Sequence, residues 1–244
     1  MTRQMRVLIT RPEEDAAPLA SALGAHGIET ISAPLMEIVY SDGPPLDLTG
    51  VQALLATSAN GVRAFTRRSS CRDVSVFAVG DATAWAAAEA GFATIESAAG
   101  DVAALADLVH RRVDPKDGAL LHVAGTAVAG DLGGRLGAVG FDVRRAVLYE
   151  VRTAARLPET IRAALETRAV DGVALYSPRT AKTFVRLVSD AGLAGQCGSL
   201  TAFCLSDAVA EAIGGLVWRR VAVAGRPDQA AMIALISNAS SAPG

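Results

Sequence analysis

Six short turns carry most of the residues that could do chemistry: Thr10-Arg11, Thr57-Ser58-Ala59-Asn60, Gly80-Asp81-Ala82-Thr83, Gly125-Thr126, Ser177-Pro178-Arg179-Thr180 and Ser206-Asp207. Each follows an apolar run and precedes an Ala/Leu-rich stretch of helical character. Such a turn sets backbone N–H groups at a helix N-terminus beside small hydroxyls, which is an anion-binding arrangement. Ser, Thr and Asp in these places are also ordinary helix caps, worth about 1 kcal/mol each. One turn alone says no more than that, whereas six facing one cleft would suit a multiply anionic ligand. Tyr149 stands apart from them, in a strand-like segment. A tyrosine there either donates a proton to a leaving oxygen or simply packs.

Several other chemistries are excluded. Residues 125–130 read G-T-A-V-A-G, the glycine spacing of a phosphate loop, but Asp131 and Leu132 occupy the places of Lys and Ser/Thr. No G-x-G-x-x-G follows a strand, so a dinucleotide is not expected either. His26, His110 and His122 have no metal spacing and no nucleophile elbow beside them, and read as surface or core histidines. Cys71, Cys197 and Cys204 are odd in number and irregular in spacing, so they suggest neither a disulfide framework nor a metal cluster. A net charge of −2 argues against a general nucleic-acid binder. No apolar run approaches the ~18–20 residues that span a bilayer. The early Val7-Leu8-Ile9 gives way at once to Arg11-Pro12-Glu13-Glu14-Asp15, too short and too acidic for a signal peptide, so a cytoplasmic protein is expected.

The elements that must position the turns are strands alternating with helices. Expected strands are Arg6–Thr10, Val51–Thr57, Ser75–Val79, Ala93–Ser97, Gly118–Val123, Gly172–Tyr176, Ser199–Leu205 and Arg219–Ala224. Expected helices include Glu13–Ala25, Gly61–Arg68, Ala82–Ala90, Val102–Arg112, Ala127–Ala138, Ala181–Asp190 and Gln229–Ile236, with a loose tail over Ser237–Gly244. This alternation predicts parallel sheets covered on both faces.

Two longer segments stand out. Phe141–Thr153 alternates, with Val143, Arg145, Val147, Tyr149 and Val151 on one side, and its thirteen residues exceed the usual strand. Ile28–Tyr40 shares its layout, with Leu35-Met36-Glu37-Ile38 against Leu148-Tyr149-Glu150-Val151. The match continues: Gly27 precedes one as Gly140 precedes the other, and Leu8-Ile9-Thr10 stands where Leu121-His122-Val123 does, at one common offset. Residues 53–58 also echo 172–177, and 76–81 echo 202–207. The chain reads as a duplication of two units of roughly 110 residues.

The expected fold is therefore α/β, with two duplicated, doubly wound, flavodoxin-like parallel-sheet domains joined by a two-stranded antiparallel connector. Residues 1–33 plus 156–240 form the first, discontinuous domain and 48–142 the second, with 34–47 and 143–155 as connector strands and 241–244 as tail. The connector would be a hinge with little core, and a ligand site is expected between the domains beyond the strand ends.

V-L-I-T-R-P from residue 7, T-S-A-N-G-V from 57, F-A-V-G-D-A-T from 77, L-Y-E-V from 148 and Y-S-P-R-T from 176, in that order, resemble the uroporphyrinogen-III synthase family over nearly the whole chain. The resemblance implies a lyase that closes hydroxymethylbilane, a linear tetrapyrrole with carboxylates on every ring, inverting the last ring and releasing water. It implies no metal or organic cofactor and no partner beyond the small-molecule substrate; a monomer is expected. Tyr149 matches the family's tyrosine that assists departure of the hydroxyl. Thr10, Arg11, Thr57, Ser58, Gly80, Thr83, Ser177 and Arg179 match its cleft-lining turns, and Gly125, Thr126 and Ser206 complete the expected substrate-binding set. The family's second G-x-x-T turn is missing: residues 206–209 read Ser-Asp-Ala-Val, and Asp207 is expected to cap its own helix. A non-catalytic two-lobed protein that closes on an anionic small molecule is the competing expectation, since fold does not fix function.

Overall fold

The computed structural model describes residues 4–128 and 130–241 and divides the chain into two compact units, Met1–Glu37 with Arg152–Gly244, and Ile38–Val151. In the first unit, strands β1 (Arg6–Ile9), β2 (Glu29–Ser32), β9 (Gly172–Leu175), β10 (Thr201–Cys204) and β11 (Arg220–Val223) form a five-stranded sheet in the order β11-β10-β9-β1-β2. All of its pairings are parallel. The inner strands β1, β9 and β10 are short apolar runs because both faces are covered, whereas the edge strands β2 and β11 are more exposed. Val7, Ile9, Ala174 and Phe203 pack against α1 (Glu13–Ala25) and α9 (Gln229–Ser241) on one face. Leu8, Val173, Leu175 and Ala202 pack against α6 (Glu159–Glu166), α7 (Pro178–Asp190) and α8 (Asp207–Glu211) on the other.

Helix α7 shows how locally the sequence dictates this. Ser177 accepts the N–H of Thr180, Pro178 occupies the first turn where no N–H is needed, and Ala181, Phe184, Leu187 and Val188 recur on one buried stripe. Phe184 is fully buried, and truncating such a residue to alanine costs about 3–5 kcal/mol.

The second unit repeats the plan. Strands β4 (Val51–Ala56), β5 (Ser75–Ala78), β6 (Ile95–Ser97), β7 (Ala119–Gly125) and β8 (Val143–Thr153), with β3 (Met36–Tyr40), make a six-stranded sheet in the order β3-β8-β7-β4-β5-β6. β8-β7-β4-β5-β6 is parallel throughout. Helices α2 (Ala59–Arg68) and α3 (Asp81–Glu89) cover one face through Val62, Phe65 and Ala87. Helices α4 (Val102–Arg112) and α5 (Leu132–Gly137) cover the other through Leu105, Val109, Leu132 and Leu136. Strand by strand, β9, β10, β11, β1 and β2 correspond to β4, β5, β6, β7 and β8, so the duplication read from the residues is present in the sheet orders.

Four expectations are corrected. Ile28–Tyr40 is not one strand: the chain breaks at Ala33-Pro34-Leu35 and β2 and β3 belong to different sheets, because Pro34 has no N–H for a ladder and restricts the residue before it. β3 and β8 are antiparallel, as the bonds Ser41 N–H to Leu148 O (2.8 Å) and Ala154 N–H to Leu35 O (3.0 Å) require, but they continue the six-stranded sheet and Leu148 and Tyr149 lie in its core, so they are not a coreless ribbon. Helix α5 spans only Leu132–Gly137 and not 127–138: Asp131 caps it through the N–H of Gly134, and Gly130 just before it has a φ of 72°, which a right-handed helix does not admit; Ala129 lies outside the described residues. Residues 237–241 end α9 and are not a tail, while 242–244 lie outside the described residues.

Candidate functional site

Within the second unit, β8 does not keep its alternation to the end. Pairing with β7 is regular through Ala124 and Val147, then Gly125 faces Tyr149, so Leu148 is an extra residue and a bulge forms. Bulges re-aim side chains. Leu148 and Tyr149 are consequently both buried, while Val147 is exposed. The phenol ring lies over Gly125, where a Cβ would come within 2.9 Å of Tyr149 Cε2 and Cζ; only glycine leaves that space free. Thr126 N–H donates to Tyr149 O at 2.9 Å, tying the end of β7 to the bulge.

Around this tyrosine the structure brings together most of the second unit's predicted residues. Tyr149 Oη lies 2.7 Å from Ser58 Oγ, and Ser58 caps α2 by accepting the N–H of Gly61 at 3.2 Å. Thr57 Oγ1 lies 3.2 Å from His122 Nε2. Arg145 donates to Gly125 O (2.7 Å) and Thr126 O (3.0 Å). Burial, and then the charge of Arg145, push His122 down to about 4, so its imidazole is neutral at ordinary pH. The turn at Gly125-Thr126 does not open a helix, since Asp131 caps α5; what it offers is held by Tyr149 and Arg145. Gly80 stands at the N-cap of α3 with no side chain to cap it, and Thr83 is buried in the first turn.

In the first unit the predicted residues are more dispersed. Thr10 is no cap: it is fully buried and its hydroxyl donates to Ala174 O at 3.0 Å, locking β1 to β9. Arg11 lies over the Tyr176 ring, 4.3 Å from its centroid, pairs with Asp15 at 3.2 Å and donates to Gln229 at 3.3 Å. Burial pushes Tyr176 up to about 12, against the opposing charge and close approach of Arg11; that guanidinium lies over the ring and does not reach hydrogen-bond geometry with the hydroxyl, which is unsatisfied among the described residues. Ser177 caps α7 and lies 2.9 Å from Thr180 Oγ1; Arg179 donates to Thr153 Oγ1 at 3.0 Å. Ser206, not Asp207, holds the N-cap position of α8, and no side-chain bond closes that cap; Asp207 is an exposed first-turn residue that faces the positive end of the helix dipole.

Sequence reasoning missed His122 and Arg145 as members of the site. The pairing of Leu55 with His122 would have set the imidazole level with the residue two before Thr57, but that requires knowing that β4 and β7 are neighbours. Tyr176 and Met36 were missed for the same reason.

The fold and site define a class: a duplicated, doubly wound α/β protein whose polar groups gather at strand ends and include a buried tyrosine held by a cap serine. The chain matches the family model described as Uroporphyrinogen-III synthase HemD over residues 17–234, and it belongs to that family. Among solved structures it is similar to the uroporphyrinogen-III synthetase of Helicobacter pylori, at 18% identity and a TM-score of 0.61, covering 97% of this chain and 100% of that one. It is also similar to a mutant uroporphyrinogen III synthase from the extremely thermophilic bacterium Thermus thermophilus, at 16% identity and a TM-score of 0.52, with 96% of each chain covered. At these identities the likeness is one of fold. No curated protein matches the chain.

Proposed function

We propose that the chain performs the reaction its family is named for, closing hydroxymethylbilane with inversion of the last pyrrole ring and loss of water. The observation that carries this reading is the family match over residues 17–234. The site is consistent with it. Loss of the terminal hydroxyl leaves an electrophilic azafulvene, the substituted carbon of the last pyrrole attacks it, and the spiro intermediate breaks and recloses at the neighbouring carbon. Such a reaction needs a proton for the departing hydroxyl and a surface that folds the chain, which is catalysis by proximity with modest acid assistance. Tyr149 is the acid in this reading. The turns at Thr57-Ser58, Gly80–Thr83, Ser177–Arg179 and Ser206 hold carboxylates, mainly through N–H groups of α2, α3, α7 and α8.

Both sets of turns come from one chain, so we take the working form to be a cytoplasmic monomer; sedimentation at working concentration is expected to give a single 25.0 kDa species. Among the described residues no helix is long and apolar enough to cross a membrane. The function is tested by supplying hydroxymethylbilane and identifying the porphyrinogen isomer. The expected product carries the inverted ring, whereas a protein that only binds anions would leave the uninverted ring of spontaneous closure.

A further inference from the structure

The direction of the hydrogen bond between Ser58 and Tyr149 decides what the phenol can do. A serine hydroxyl has one proton to give and two lone pairs to receive with. Ser58 Oγ already receives the N–H of Gly61, and the acceptor within reach of its own proton among the described residues is Tyr149 Oη. If Ser58 donates, both of its functions are satisfied and the proton of Tyr149 has no acceptor among the described residues. If Tyr149 donated instead, its proton would be engaged by Ser58.

The first unit contains the same device with a different ending. Ser177 corresponds to Ser58 and Met36 to Tyr149. Ser177 receives the N–H of Thr180 at 3.1 Å and lies 2.9 Å from Thr180 Oγ1, which donates its proton to Met36 Sδ at 3.8 Å. With the threonine's only proton on sulfur, Ser177 must be the donor to Thr180. In the first unit, then, donation starts at the cap serine and ends on a buried thioether; the same direction in the second would end on a phenol whose proton has no acceptor among the described residues.

We propose that Ser58 is a positioning residue for Tyr149, holding the phenol by donating to Oη so that the phenol proton faces the substrate's terminal hydroxyl. This rests on the synthase reading above. In the step, the C–O bond breaks with its electron pair on oxygen, that oxygen takes the Tyr149 proton and leaves as water, and the pyrrole nitrogen lone pair supplies the carbon. The phenolate left behind keeps Ser58 as a charge-assisted donor. The proton released when the closed ring recovers its aromatic pyrrole returns to the phenolate, so the enzyme ends unchanged.

The test is steady-state kinetics and isomer analysis on Ser58→Ala and Ser58→Thr, each alone and combined with Tyr149→Phe. A hydrogen bond to a group that becomes charged is worth enough for roughly a tenfold effect or more. Ser58→Ala is therefore expected to lower kcat by about tenfold with KM within about twofold of the parent, Ser58→Thr to recover most of the loss, and Ser58→Ala to cost less than about twofold once Tyr149 is Phe. An equal loss in both backgrounds, or a rise in KM alone, would overturn the proposal and leave Ser58 a cap or a substrate contact. If Ser58→Ala does not fold, Ser58→Asp serves, because it caps α2 and has no proton to give at neutral pH; full turnover in that variant would equally overturn it. Parent protein that forms no inverted product would defeat the synthase reading, whereas inverted product with an insensitive Ser58 would defeat only this one.

Discussion

The strand ends of the two units begin from the same skeleton and finish differently. Both sheets run in the same order, and in both the central strand is followed by a serine that caps the next helix, Ser177 in one and Ser58 in the other. In the first unit, β1 and β2 stay in register over all four pairs, and the polar groups are consumed locally: Thr10 on Ala174, Thr180 on Met36, Arg11 on Asp15 and Gln229. In the second, a bulge at Leu148 turns a tyrosine into the place that Met36 holds, and Gly125 clears room for its ring. A duplicated scaffold thus keeps its caps, which stabilise each copy, while a strand bulge and one glycine let a tyrosine hydroxyl meet the cap serine where the first unit packs a methionine.

The sharpest way to break that contrast is to fill the space under the ring. Gly125→Ala sets a Cβ 2.9 Å from two ring carbons of Tyr149, and overpacking of this kind costs about 1–3 kcal/mol. We expect chemical denaturation to show that loss, with turnover falling at least as far as when the phenol hydroxyl alone is removed. An unchanged denaturation midpoint and full activity would mean the ring is not held by Gly125.

A second difference is titratable. His122 sits at about 4 in the folded unit against an ordinary 6.5, so between those values the unfolded chain binds more protons than the folded one. Its contribution is therefore fully present above about pH 6.5 and is lost as pH falls toward 4. Urea midpoints measured across that window are expected to decline in the parent and to decline less in His122→Gln. Identical slopes in the two proteins would show that the imidazole is not the group responsible.

The smallest expected effect lies in the first unit. Tyr176 buries a hydroxyl with no partner among the described residues, and an unsatisfied buried polar group is costly. Tyr176→Phe is expected to be neutral to about 1 kcal/mol more stable, read from urea unfolding. A clear loss of stability would reveal a partner for that hydroxyl, and the first unit would then hold a polar network of its own.

Much of this arrangement was legible in the residues, for physical reasons. Strand and helix periods, the caps at Ser58 and Ser177, and the paired segments around Leu35 and Leu148 are local signals. What depended on pairing was not legible. The break at Pro34 reads in sequence as an interruption, but the assignment of β2 and β3 to different sheets does not. The bulge at Leu148 cannot be seen in an alternating segment, because it is created by the register against β7. His122 and Arg145 join the site only because β4, β7 and β8 are neighbours, and Asp207 failed as a cap because Ser206 already occupies that position.

The comparison between the two halves is tested most directly by paired substitutions at its corresponding places, Tyr149→Phe and Met36→Leu, each supplied with hydroxymethylbilane. A well-placed general acid contributes typically 10²–10⁴-fold. The hydroxyl here departs readily unaided, so Tyr149→Phe is expected to lose roughly 10²-fold or less while still inverting the last ring. Met36→Leu, a swap of similar volume, is expected to keep its turnover and to cost less than about 1.5 kcal/mol of stability. Full turnover in Tyr149→Phe, or an equal loss in both variants, would contradict the account.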